Sequence, residues 1–165
     1  MMVIRPAGMD ELEKVIPLWK EMMAFHAGLD PRFRPVPGTE GDFIGYLRAG
    51  LETGEGMVLL AEQGEEVVGY IVGHIKSNPP VMLPPLFGYV SDIFVASAWR
   101  RKGLGRDLFE SLKEWFREQG VEHIELHVWH NNSPAQAFWR KMGFRDYLHR
   151  LHYELKEKEQ EGRGQ

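Results

Sequence analysis

At 165 residues, with 43% hydrophobic and 27% charged content, the chain has the composition of a globular protein that buries its own core without metal or disulfide staples. A formal net charge of -4 argues against nucleic acid as a partner, and the lack of cysteine excludes a disulfide framework, a thiolate nucleophile and a Cys-based metal site. The apolar runs are too short for a membrane span and the N-terminus lacks a signal peptide's apolar region, so no membrane partner is expected and the cytoplasm is the expected location.

In chain order, Met1 to Pro6 reads as a first strand. Asp10 then caps a helix carrying Leu12, Val15, Ile16, Leu18, Trp19, Met22, Met23 and Phe25 at helical spacing, with a kink or break expected at Pro17. Residues 26–38 are punctuated by Pro31, Pro35 and Pro37 and read as a loop. That loop is either a solvated connector or an acceptor-binding loop presenting Arg32, Phe33 and Arg34. Thr39 is expected to cap a second helix through Phe43, Ile44, Leu47 and Leu51, ended by Gly54 and Gly56. Met57 to Ala61 and Val67 to Ile75 pair as a hairpin around the turn 63–66.

The four prolines between Asn78 and Pro85 exclude a place inside a sheet. Tyr89 to Val95, rich in β-branched and aromatic residues, reads as a buried strand, and Leu104, Leu108, Leu112 and Trp115 define a helix stopped at Gly120. Glu122 to Trp129 is a further strand, with Ile124, Leu126 and Val128 on one face and Glu125, His127 and Trp129 on the other. Ser133-Pro134 opens a helix that runs to Gly143, and Phe144 to Leu155 reads as one or two terminal strands. The order describes one α/β domain over residues 1–156 with a mixed sheet, followed by a charged tail, 157–165.

The chemistry concentrates where the buried strand meets the next helix, at Arg100-Arg101-Lys102-Gly103-Leu104-Gly105-Arg106. Glycines let the backbone turn tightly, and the amides of a helix's first turn have no internal acceptor. Cations beside those amides make an anion site, most naturally for a phosphate or pyrophosphate. A nucleoside-triphosphate loop needs Gly-Lys-Ser/Thr after its first glycine and four residues, and the chain has none. A dinucleotide fingerprint needs a small residue where Leu108 stands.

The remaining pattern, Arg-x-x-Gly-x-Gly over residues 100–105, resembles the acyl-CoA signature of the GCN5-related N-acetyltransferase (GNAT) family. A second stretch, Asn132-x-x-Ala135-x-x-x-Trp139-x-x-x-Gly143-Phe144, resembles the other signature of that family, which carries Tyr where this chain has Trp139. The resemblance implies an α+β fold: a mixed, mostly antiparallel sheet of six to seven strands with a central splay, flanked by about four helices. It also implies acetyl-CoA as co-substrate and a homodimer.

Residue by residue, the resemblance gives the pyrophosphate to Arg100, Arg101, Lys102, Gly103, Leu104, Gly105 and Arg106. The pantetheine arm goes to the strand edge Phe94-Val95-Ala96, the coenzyme receives a hydrogen bond from Asn132, and Ala135 allows close approach. Asn132 also reads as a helix cap. The splay is expected between Tyr89–Val95 and Glu122–Trp129.

Acetyl transfer needs a deprotonated amine, a polarised carbonyl and a departing thiolate. The Val95 amide is the candidate donor to the carbonyl, and Asp92 is the candidate base, with Tyr89, His127 and Glu125 behind it. Asp92 reads equally as a structural carboxylate. Trp139 has no usable acidic proton, so it is expected to pack against the pantetheine arm, with Tyr147 or Tyr153 as substitute acids; a CoA thiol resembles cysteine, pKa about 8.5, and leaves with modest help. His127-x-x-His130 and His149-x-x-His152 point to opposite faces of a strand, so no metal is expected. The implied function is transfer of acetyl to a primary amine of a small molecule or peptide, in a ternary complex. The alternative is a non-catalytic acyl-CoA-sensing domain.

Overall fold

The structure, a computed structural model, describes residues 1–155. The expected tail over 157–165 lies outside the described residues. The strands are β1 (Met2–Pro6), β2 (Gly56–Gln63), β3 (Glu66–Ser77), β4 (Leu86–Val95) and β5 (Ile124–Leu126), in the spatial order β1-β2-β3-β4-β5. The first four are antiparallel, and β5 alone runs parallel to its neighbour. The helices are α1 (Ile16–Leu29), α2 (Glu40–Thr53), α3 (Leu104–Glu118) and α4 (Ser133–Lys141).

Period-two alternation divides the core between the two faces of the sheet. Val58, Leu60, Tyr70 and Val72 meet Leu12, Val15, Leu18, Trp19, Met22 and Leu47 beneath α1 and α2. Leu59, Ala61, Ile71 and Val90 meet Leu108, Phe109, Leu112 and Phe116 of α3, with Trp139 of α4. The approach of α3 is close because β3 and β4 offer no side chain there. A Cβ on Gly73 would stand 2.7 Å from Leu112 Cδ1, and one on Gly88 would stand 2.8 Å from Phe116 Cε1.

Local rules account for most element ends. Pro17 lies in the first turn of α1, where its missing N–H costs nothing, and residues Met9–Val15 before it form a 3-10 segment. Helix α1 continues through His26 to Leu29, into the expected loop, and stops at Asp30, which Pro31 forces out of helical backbone (ψ 118°). Gly54 closes α2 in the left-handed conformation, φ 72°. Thr39 precedes α2 as expected, but its hydroxyl donates to Val36 O at 2.8 Å instead of capping the helix.

Two expectations are corrected at the far side of the sheet. Strand β5 is three residues long, not eight, and among the described residues the sheet has five strands, not six or seven. The physical cause sits in β4. Val72 pairs with Asp92 and Gly73 with Val90, so Ser91 is an extra residue, a β-bulge. The bulge bends β4, and β5 follows it only over Gly88–Val90. Residues 144–155 then find no ladder: Leu151 is 89% and Tyr153 87% exposed, and the segment is held by side chains, Tyr147 against His123 and Glu154 on Arg32. Among the described residues no helix is long and apolar enough to cross a membrane.

Candidate active site

Beyond the bulge, β4 and β5 part, and the backbone of β4 faces an open gap. Ala96 N–H donates to Val68 O of β3 at 2.8 Å. Backbone direction alternates along a strand, so Phe94 also turns to β3 while Val95 turns its N–H and carbonyl into the gap. The Val95 carbonyl accepts from Arg100 Nε at 2.8 Å, and the Arg100 guanidinium lies 4.9 Å over the Phe94 ring. Arg100 therefore fastens the turn to the strand end.

The turn runs through a short 3-10 segment, Ser97–Trp99, and then two left-handed residues, Arg101 (φ 61°) and Gly103 (φ 83°). A non-glycine residue there is uncommon and marks a constrained loop. Gly103 has no side chain with which to cap α3, and the first internal bond is Asp107 N–H to Gly103 O at 3.0 Å. Among the described residues the amides of Leu104, Gly105 and Arg106 have no acceptor. The side chains of Arg101, Lys102 and Arg106 are exposed around them, and Lys102 Nζ lies 4.9 Å over the Trp99 ring. Donors and positive charge together fit the pyrophosphate of a coenzyme A.

Earlier on β4, Ser91 Oγ donates to Asp92 Oδ2 at 3.0 Å. Burial pushes the Asp92 carboxyl up to about 6, against the Ser91 hydrogen bond, and no Lys or Arg pairs with it among the described residues. Tyr89, its phenol raised mainly by burial, shares a hydrogen bond with His127 Nδ1 at 3.0 Å across the mouth of the gap. Glu125, level with Tyr89 in the β4–β5 register, faces His123 Nε2 at 3.2 Å. Tyr147 and Tyr153 are 66% and 87% exposed.

The second motif is built into α4. Asn132 is buried, and its Oδ1 accepts Ala135 N–H at 3.3 Å, the capping arrangement. Trp139 is buried in an aromatic cluster with Phe109, Phe138 and Phe144, at ring separations of 4.8–5.4 Å. The structure thus sets Trp139 in the core between α3 and α4. Arg32 of the expected loop is held by Asp30 at 2.9 Å and Glu154 at 2.7 Å, while Phe33 packs edge-on against Trp129.

Sequence reasoning passed over Tyr46, His74 and Lys76. Tyr46 of α2 lies 4.6 Å from the His74 ring on β3, and His74 sits opposite Tyr89 in register. His74 is 8% exposed, its Nε2 has no partner among the described residues, and burial lowers its pKa to about 4. Lys76 Nζ stands 4.0 Å over the Tyr89 ring. The available signal was the alternation of His74 and Lys76 at the end of a strand.

A model of the acetyltransferase (GNAT) family matches residues 19–144. The chain is 26% identical over 160 residues to YhfO of Bacillus subtilis, an uncharacterized N-acetyltransferase, spanning 92% of this chain and 95% of that protein. A mutant BH1408 protein from Bacillus halodurans has a similar structure, with a TM-score of 0.82 at 25% identity over 93% of this chain and 99% of that one. A predicted acetyltransferase of Clostridium acetobutylicum, solved with acetyl-CoA, shares the fold with a TM-score of 0.76 at 18% identity, over 93% of this chain and 96% of that one.

Proposed function

This chain belongs to the GNAT family of acetyltransferases and is an N-acetyltransferase, and from that premise we propose that it transfers acetyl from acetyl-CoA to a primary amine of a small molecule or peptide, by direct attack with both substrates bound. The observation that carries the proposal is the parting of β4 and β5 after Val90, which leaves the Val95 amide without a β5 partner, three residues after Asp92 and ahead of the open N-terminus of α3.

Acetyl-CoA supplies the thioester carbonyl, and its thiol, similar to a cysteine of pKa about 8.5, departs as thiolate without a dedicated acid. The amides of Leu104, Gly105 and Arg106 hold the pyrophosphate, with Arg101, Lys102 and Arg106 adding charge. Arg100 keeps the turn docked on Val95. The Val95 N–H polarises the carbonyl. Asp92, with a pKa of about 6, is ionised at neutral pH and takes the ammonium proton, through water. Tyr89, tied to His127, orients the amine beside it. Asn132 and Ala135 set the start of α4 against the coenzyme, and Trp139 keeps α4 packed on α3.

In this proposal residues 1–156 act as one domain in the cytoplasm. The homodimer is supported by apolar side chains left exposed at Val81, Leu83, Tyr147 and Leu148. The test is free-thiol release from acetyl-CoA with polyamines, amino acids, aminoglycosides and short peptides, alongside Asp92→Asn. Turnover lost in the variant supports the enzyme and its base together. Unchanged turnover moves the base to Tyr89, Glu125 or His127. Tight coenzyme binding without turnover of any amine points to a sensing domain instead.

A further inference from the structure

The charges on the acceptor side of the gap are segregated. Tyr89, His74 and Lys76 share one face of the sheet, since His74 pairs directly with Tyr89 and Lys76 is two residues along β3. Asp92 is the carboxylate of the gap, and burial rather than a cationic neighbour dominates its environment. Glu125, level with Tyr89, is turned to His123, and Asp30 and Glu154 are taken by Arg32. The cations differ from the acids in having no such partners. Lys76 lies on the Tyr89 ring at 4.0 Å, and Arg150 is close enough for its charge to favour the Tyr89 phenolate. Neither Lys76 nor Arg150 makes an ion pair among the described residues.

A polyamine entering this gap would set one ammonium at Asp92 and the next against the exposed cations Lys76 and Arg150, an unfavourable like-charge contact. An amine that carries a carboxylate meets the opposite sign at both ends. The level of Tyr89 and His74 lies two residues along the sheet from that of Asp92 and Val72, about 7 Å of strand. A short amino acid bridges that interval.

We propose that the acceptor is a short amino acid, with its amine at Asp92 and its carboxylate at Lys76 above the Tyr89 ring, where the charge of Arg150 adds to that of Lys76. The proposal rests on the acetyl-transfer function above and adds the chemical class of the acceptor. A carboxylate held by a cation makes charge-assisted hydrogen bonds, stronger than those of a neutral group at the same place.

The experiment measures free-thiol release from acetyl-CoA with matched pairs of acceptors: glycine, β-alanine, γ-aminobutyrate and L-alanine against alkylamines and diamines of equal length. Amino acids are expected to exceed their partners at least tenfold in kcat/KM, with the preference shrinking as salt is raised. In Lys76→Gln the ratio of amino acid to alkylamine kcat/KM is expected to fall about tenfold, chiefly through KM, and Arg150→Gln should lower it in the same direction. Circular dichroism of both variants guards against misfolding, and the wild-type ratio and its salt dependence stand without them. Alkylamines or diamines used as well as amino acids would overturn the proposal and leave the enzyme intact. Thiol release with none of these amines but with an aminoglycoside or a peptide would overturn the acceptor class alone, and release with no amine of either set would overturn the acetyl-transfer function with it.

Discussion

Arg100 Nε donates to the Val95 carbonyl at 2.8 Å, so the first cation of the glycine-rich turn is bound to the strand that precedes it. The Arg100 guanidinium also covers Phe94. Its role is to hold the α3 N-terminus at a fixed distance from the gap, while Arg101, Lys102 and Arg106 remain turned to solvent. Arg100→Ala should raise KM for acetyl-CoA about fivefold to tenfold. The exposed hydrogen bond is worth only ~1 kcal/mol, so thermal unfolding should move by a few degrees at most.

The Asp92 carboxyl sets a pH limit. Burial raises its pKa to about 6, so the proton-accepting form is lost as pH falls through that value. Below pH ~6, log kcat/KM should drop with a slope near one. Asp92→Asn should abolish that limb and lower kcat about 100-fold or more, with an unfolding midpoint equal to or above that of the parent protein, because a desolvated charge with no cationic partner among the described residues is removed. A pH–rate profile for both proteins checks this.

His74 sets a limit on stability. Its pKa is lowered by burial from 6.5 to about 4. As pH falls between those values, the unfolded chain takes up a proton that the folded chain refuses, so stability contributed by the neutral ring is lost across that window. His74→Phe replaces an unpartnered buried nitrogen with an apolar ring. The drop in unfolding midpoint between pH 7 and pH 5 should be smaller in the variant, as scanning calorimetry would report.

Gly73 tests the packing of α3. A Cβ there would lie 2.7 and 2.9 Å from the two Leu112 methyls and 3.0 Å from Phe116 Cζ. Gly73→Val should destabilise by about 1–3 kcal/mol, the usual cost of overpacking, measured as a shift of the urea midpoint. A double variant with Leu112→Ala should recover part of the loss.

Legibility in the sequence followed the range of the interaction. The turn at Arg100–Gly105 was readable because glycine, helix start and cations are neighbours in the chain, and Gly103 indeed takes φ 83°. Gly54 and Pro17 marked helix limits for equally local reasons. The length of β5 was not readable, since Glu122–Trp129 alternates well enough for a full strand and is cut short by a bulge in β4. The same holds for Phe144–Leu155, whose alternation predicts pairing but cannot supply a partner strand. Tyr46, His74 and Lys76 come from α2 and β3, and only the β3–β4 register brings them to Tyr89. The Arg32 clamp joins residues more than a hundred positions apart.

Ser91 gives β4 an unusual mutational grammar. Upstream of it Val90 faces α3, and downstream Ile93 and Val95 face the same side, which an unbroken strand could not arrange from these positions. Replacing Ser91 by another residue alters one side chain. Deleting it would close the bulge, bring Val90 and Asp92 into consecutive register with Gly73 and Val72, and leave every side chain from Asp92 to Val95 on its own face while removing the bend beside the gap. Along this strand the chain should therefore accept one omission, Ser91, in its packing but not in its activity, and that deletion would separate the bend from the side chains more sharply than an alanine scan.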